Sequence, residues 1–139
     1  YNAVLTVKKK ATKLLIPGVY WEDYHLEVGK IMTAELLKIG LLDKADIQNQ
    51  KSELPAYKKY FMHGTSHHMG LDTHDYGLLQ DPIEANMVFT VEPGIYIPEE
   101  GFGIRLEDDV VIQENSEPKN LMAKIPIEID EIESLMNED

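Results

Sequence analysis

"MVFTVEPGIYIPEEGFGIRLEDDVVIQ", residues 87–113, decides how this chain folds. Its two arms, 87–97 and 103–113, are dense in β-branched and aromatic residues and flank the turn-like "PEEGF". That pattern predicts a β-hairpin. With Ile97 paired to Phe102, Glu92 falls directly opposite Glu107. Two carboxylates at cross-strand distance, set among apolar "VFTV" and "VVI", oppose sheet formation unless something compensates. Three remedies are available: protonation of one glutamate, an arginine beside the pair, or a bridging cation. Arg105, two residues before Glu107 on the same face, supplies part of the second. One guanidinium cannot neutralise two carboxylates, so a multivalent cation with oxygen ligands stays open as a remedy.

The segment before the hairpin offers nitrogen. "HGTSHHMGLDTHD", residues 63–75, holds four of the five histidines of the chain. An imidazole from it would complete a mixed oxygen and nitrogen shell suited to manganese, cobalt, iron or zinc. A glutamate pair on a hairpin or one histidine in a loop, taken alone, reads equally well as solvated or structural. His63, His67 and His74 lie next to apolar "FM", "MGL" and "GLL", which requires that some of them be buried and paired. "HGTSH" has the spacing of two zinc ligands on one helix face, but a zincin helix needs a glutamate after its first histidine. Gly64 stands there, so a loop or an extended segment is expected.

At 139 residues the chain has the size of one modest domain. It has no cysteine, so disulfides are excluded, a cytoplasmic location is the expectation, and any metal is held by nitrogen and oxygen. The net charge of -12 argues against nucleic acid or an anionic membrane surface as partner. Eight carboxylates against two lysines at positions 114–139 read as a solvated face or tail. The apolar stretch "LLIPGVYW" is too short to span a bilayer.

Val4, Val7, Ala11, Leu14 and Leu15 recur at helical spacing with lysines between them, and "IPG" at 16–18 closes that helix. A second helix is expected over 22–39, with Val28, Met32, Leu36 and Ile39 on one stripe and acids in the first turn. A short helix over 44–51, a strand over 121–125 and a terminal helix through "IDEIESLM" complete the reading. The class is α+β, with helices on one side of a largely antiparallel sheet.

"HGTSHHMGLDTHD", "VEPGIY" and "GIRLEDDVV", in that order, closely resemble the signature segments of Xaa-Pro aminopeptidases (aminopeptidase P) and prolidases. The resemblance runs from the first helix to the last and implies a partial pita-bread (creatinase/aminopeptidase-like) fold. It implies a metallopeptidase with two divalent ions, manganese or cobalt with zinc as a further option, that activate water to cleave the bond preceding proline. Residue by residue, it implies His67, Glu92 and Glu107 as metal ligands, with Glu107 bridging. His63 and His74 match the histidines that orient substrate and handle protons, and Arg105 and Tyr96 match a supporting arginine and tyrosine. The implied partner is a peptide with proline at its second position.

His68 and His25 match no family role. His68 is expected to point away from the ions and His25 to lie on the exposed side of the second helix, while Asp72 and Asp75 shape the turn around His74. The family also supplies two aspartate ligands about ten residues apart, upstream of the helices. Only Asp23, Asp43 and Asp46 precede His67, none at that spacing. The chain therefore reads as the C-terminal half of a catalytic domain, lacking an N-terminal domain and the first half, with little activity alone and an apolar edge inviting self-association. Alternatives are a prolidase acting on dipeptides, a non-catalytic pita-bread binding module, and a metal-free creatinase-like hydrolase.

Overall fold

The computed structural model describes residues 1–51 and 53–137; Glu138 and Asp139, the end of the expected acidic tail, lie outside them. Helix α1 (Asn2–Leu14) and helix α2 (Trp21–Lys38) pack side by side. Val4, Val7, Ala11 and Leu15 meet Tyr24, Val28, Met32 and Leu36 in the core, as the helical spacing requires. Ile39 is half exposed, so the buried stripe of α2 stops at Leu36. The expected short helix forms as α3 (Lys44–Asn49), closed at its start by a reciprocal capping box between Asp43 and Asp46. A 3-10 turn (Ala56–Lys59) then leads into the histidine segment.

The hairpin forms in the expected register, with Ile97 opposite Phe102 and Val88 opposite Val111. It is not continuous. Strands β1 (Val88–Val91) and β4 (Asp108–Val111) form one ladder, and β2 (Gly94–Ile97) and β3 (Phe102–Arg105) form another. The breaks fall at Glu92–Pro93 on one arm and at Leu106–Glu107 on the other. Pro93 has no amide to give to a ladder, which explains the break on its arm. The turn is a 3-10 helix (Pro98–Glu100) ended by Gly101 at φ 70°, a left-handed conformation that glycine adopts without strain.

Beyond β4, pairing resumes at β5 (Lys119–Asn120), not at the expected strand over 121–125. There the Asn120 side chain donates to Asp108 and accepts the Met122 amide at 2.7 Å, which turns the chain out of the sheet before the apolar "LMAKI" can extend. The terminal helix α4 (Ile129–Met136) keeps Ile129 and Ile132 half buried and leaves Leu135 and Met136 exposed.

The histidine segment is extended. Backbone bonds from Glu92 to Thr65, from Thr90 to His67 and from Met69 to Val88, with a bridge between His68 and Phe89, lay it antiparallel along the outer edge of β1. Alternation then assigns the faces. Phe89, Val91, Val110 and Asp108 are buried on the helix side, where Asp108 pairs with the buried Lys8 of α1. His67, Thr90, Glu92 and Glu107 share the other face. The helices thus lie on one side of an antiparallel sheet, as the sequence predicts. Among the described residues no helix is long and apolar enough to cross a membrane.

Candidate metal centre

The two glutamates sit at the break in the hairpin, where the ladders stop and side chains are freed from cross-strand packing. His67, Glu92 and Glu107 each offer a ligand atom, and the three atoms lie within 4.8 Å of one another. His67 Nε2 is 3.1 Å from Glu92 Oε1. The other ring nitrogen, Nδ1, is 2.9 Å from the His68 carbonyl. A carbonyl only accepts, so Nδ1 carries the hydrogen. In the neutral ring Nε2 therefore presents a lone pair to a carboxylate, and only a proton or a cation relieves that opposition. Nitrogen and carboxylate oxygen converging in this way fit a divalent ion of intermediate softness.

The guanidinium of Arg105 lies 3.8 Å from Glu92 Oε2 and 3.5 Å from Glu107 Oε2. The arginine remedy is thus present, but one positive charge is shared between two acids. Partial burial, followed by the Glu92 carboxylate, pushes the Glu107 carboxyl above its ordinary range; Arg105 acts the other way. A bound cation would remove the same repulsion. Thr90 links two of these three residues: its hydroxyl accepts the His67 amide at 3.1 Å and donates to Glu92 Oε1 at 3.4 Å.

Of the remaining expected residues, His74, on an exposed loop, lies beside His67 with ring centroids 4.4 Å apart and the rings tilted by 48°. His63 gives its Nδ1 hydrogen to the Gly64 carbonyl at 2.7 Å, so its Nε2 accepts the Tyr96 hydroxyl at 2.8 Å. Tyr96 reaches that position by lying across Gly94 and Gly103; a Cβ at Gly94 would stand 2.7 Å from the Tyr96 hydroxyl. His68 faces away as expected, packed between Trp21 and Phe89. Asp75 accepts the Tyr76 amide at 2.7 Å, in keeping with a turn-shaping role.

Among the residues that escaped the reading of the sequence are His25 and Asp109. His25 is not on an exposed side of α2: its ring packs on Trp21 and Tyr24, and its Nε2 accepts the amide of Thr65. The signal was available, because His25 lies three, seven and eleven residues before Val28, Met32 and Leu36 and so continues their stripe. Asp109 shares the face of Glu107 by simple alternation, and its carboxylate also pushes Glu107 up.

Comparison with known proteins identifies the family. Residues 1–114 match the model of metallopeptidase family M24. The Xaa-Pro aminopeptidase of Haemophilus influenzae is 41% identical over 99% of this chain and 34% of its own length. Aminopeptidase P from E. coli, solved with the inhibitor Pro-Leu, superposes with a TM-score of 0.83 at 39% identity, over 98% of this chain and 33% of that one. A zinc-substituted form of the same enzyme, in complex with product, superposes equally well. The chain spans about a third of the length of the relatives it matches. Its helices on one side of an antiparallel sheet are accordingly part of a pita-bread fold, and the chain belongs to metallopeptidase family M24.

Proposed function

We propose that this chain supplies the C-terminal part of the catalytic domain of a peptidase that removes an N-terminal residue preceding proline. The observation that carries this reading is the convergence of His67, Glu92 and Glu107 within 4.8 Å across the broken hairpin. The names of the relatives support the substrate class.

In this reading His67, Glu92 and Glu107 would hold divalent ions, manganese, cobalt or zinc. Ions held there supply Lewis acidity for activating water and polarising a peptide carbonyl. The His68 carbonyl fixes the His67 ring with its other nitrogen toward Glu92, and the Thr90 hydroxyl holds the His67 backbone amide. His63, oriented by Tyr96, and His74, beside His67, stand where a peptide would approach and handle protons at its amide. Arg105 limits the repulsion between the two glutamates.

The family pattern adds two aspartates that these 139 residues do not provide at the required spacing. The polypeptide alone therefore takes up metal weakly and turns over little substrate. Hydrolysis of an Xaa-Pro-Xaa peptide with added manganese, alongside Co2+ titration followed in the visible spectrum, tests both halves of the reading. Weak uptake lost in His67→Ala, with negligible turnover, is expected. Substantial turnover by the 139-residue chain would overturn the incomplete-ligand reading, and uptake indifferent to His67 would overturn the metal site.

A second reading, a pita-bread module used for binding only, draws on the same shortage of aspartates. The facing of His67 and Glu92 speaks against it, because without ions or protons that arrangement is an uncompensated cost.

A further inference from the structure

Thr65 is held from two sides. Its carbonyl accepts the Glu92 amide at 2.7 Å, and its own amide donates to His25 Nε2 at 3.4 Å. Directly opposed residues of an antiparallel ladder commonly exchange both bonds. Here an imidazole from α2 takes the second one.

His25 is built to accept. Its Nδ1 lies 2.9 Å from the Trp21 carbonyl, which can only accept, so Nδ1 carries the hydrogen and Nε2 is left with its lone pair. Trp21 and Tyr24 fix the ring with centroid separations of 4.8 and 5.1 Å. Burial further disfavours the charged ring, which would have no lone pair to offer. Thr65 is 1% exposed, so solvent cannot replace the bond, and it stands midway between His63 and His67.

We propose that His25 is a positioning residue: by accepting the Thr65 amide it fixes the histidine segment at the depth that brings His67 to Glu92. The inference rests on the reading of His67 and Glu92 as metal-holding side chains. Loss of the imidazole leaves Thr65 held by the Glu92 amide alone, and the His67 to Glu92 separation loosens without any change in either side chain. Glutamine can place a side-chain oxygen near the Nε2 position and should restore the function.

The test uses the 139-residue chain, His25→Ala and His25→Gln. Long-range 1H–15N correlations should show His25 of the parent as the Nδ1–H tautomer. Exchange of the Thr65 amide should accelerate at least about tenfold in His25→Ala and stay close to the parent in His25→Gln. Co2+ affinity should fall about 10-fold in the alanine variant and recover in the glutamine variant. An Nε2–H tautomer, or unchanged Thr65 exchange in His25→Ala, would overturn the proposal. If His25→Ala does not fold, the parent tautomer and the His25→Gln exchange rate still decide it. If the parent takes up no Co2+, the metal reading fails, while the tautomer and exchange measurements still show whether His25 holds Thr65.

Discussion

His67 Nε2 faces Glu92 Oε1 at 3.1 Å while the Nδ1 hydrogen of the same ring is committed to the His68 carbonyl. Something positive must lie between the nitrogen and the oxygen. A divalent ion seated there would supply that charge. Replacing His67 by alanine or Glu92 by glutamine should weaken Co2+ uptake by at least the roughly 10-fold that loss of a mere supporting partner costs. His68→Ala, on the helix face, should alter stability and leave uptake unchanged. Equal affinities for parent and His67→Ala would refute the assignment.

Lys8 and Asp108 form a buried ion pair between α1 and β4, one residue from Glu107. Their side chains are 6% and 10% exposed. Lys8→Ala leaves a buried carboxylate whose remaining side-chain hydrogen bond, among the described residues, comes from the Asn120 amide, and should cost about 3–5 kcal/mol in urea unfolding. Replacing both partners by apolar residues of similar volume should be close to neutral. A loss for Lys8→Ala no larger than the ~1 kcal/mol typical of exposed pairs would mean that water reaches the site.

Acid should weaken the fold partly through His25. Burial holds its imidazole below the ordinary value of 6.5, against the bond to the Trp21 carbonyl, and the nearby Lys58 adds to the depression. The unfolded chain thus takes up a proton near 6.5 while the folded chain takes it up only at lower pH. Stability from this group is present above 6.5 and is lost as pH falls through that value toward the depressed one. His68, also lowered chiefly by burial, contributes in the same direction. Thermal unfolding of His25→Gln should therefore fall less steeply than the parent between about pH 7 and pH 5. Parallel slopes would count against a neutral, buried His25.

The hairpin was legible because a four-residue turn fixes the partners of every later residue, and the opposition of Glu92 and Glu107 followed from it. Pro93 carried the signal for one break in the ladder, but the reading of the sequence took the hairpin as continuous. The opposite orientations of His67 and His68 followed once the segment was extended. What stayed hidden was polar residues on apolar stripes. Lys8 sits within "KKK" and looks solvated, yet it falls four residues after Val4 and three before Ala11, on the buried face. Its charge masked its position, and its partner lies 100 residues away. His25 was missed for the same reason. The strand over 121–125 failed because apolar content says nothing of Asn120, whose side chain ends the pairing.

The buried hydrogen bond between Tyr24 and Ser66 bears on which of two neighbouring histidines faces Glu92. In "TSHHM" a slip of one residue would replace Thr65 by another hydroxyl, His67 by His68, and His68 at the Trp21 slot by Met69. Chemically, the two alignments are near copies. The slip would, however, set a histidine against the Tyr24 hydroxyl, which lies 2.8 Å from Ser66 Oγ at 1% exposure of the tyrosine. Tyr24→Phe should bring the alignments close in energy and double the amide resonances from Thr65 to Gly70; a single set of peaks would show that other contacts suffice. A phenol on the far side of the sheet would thus act as the proofreader of a repeated letter, rejecting an alternative that the face carrying Glu92 and Glu107 alone could not tell from the right one.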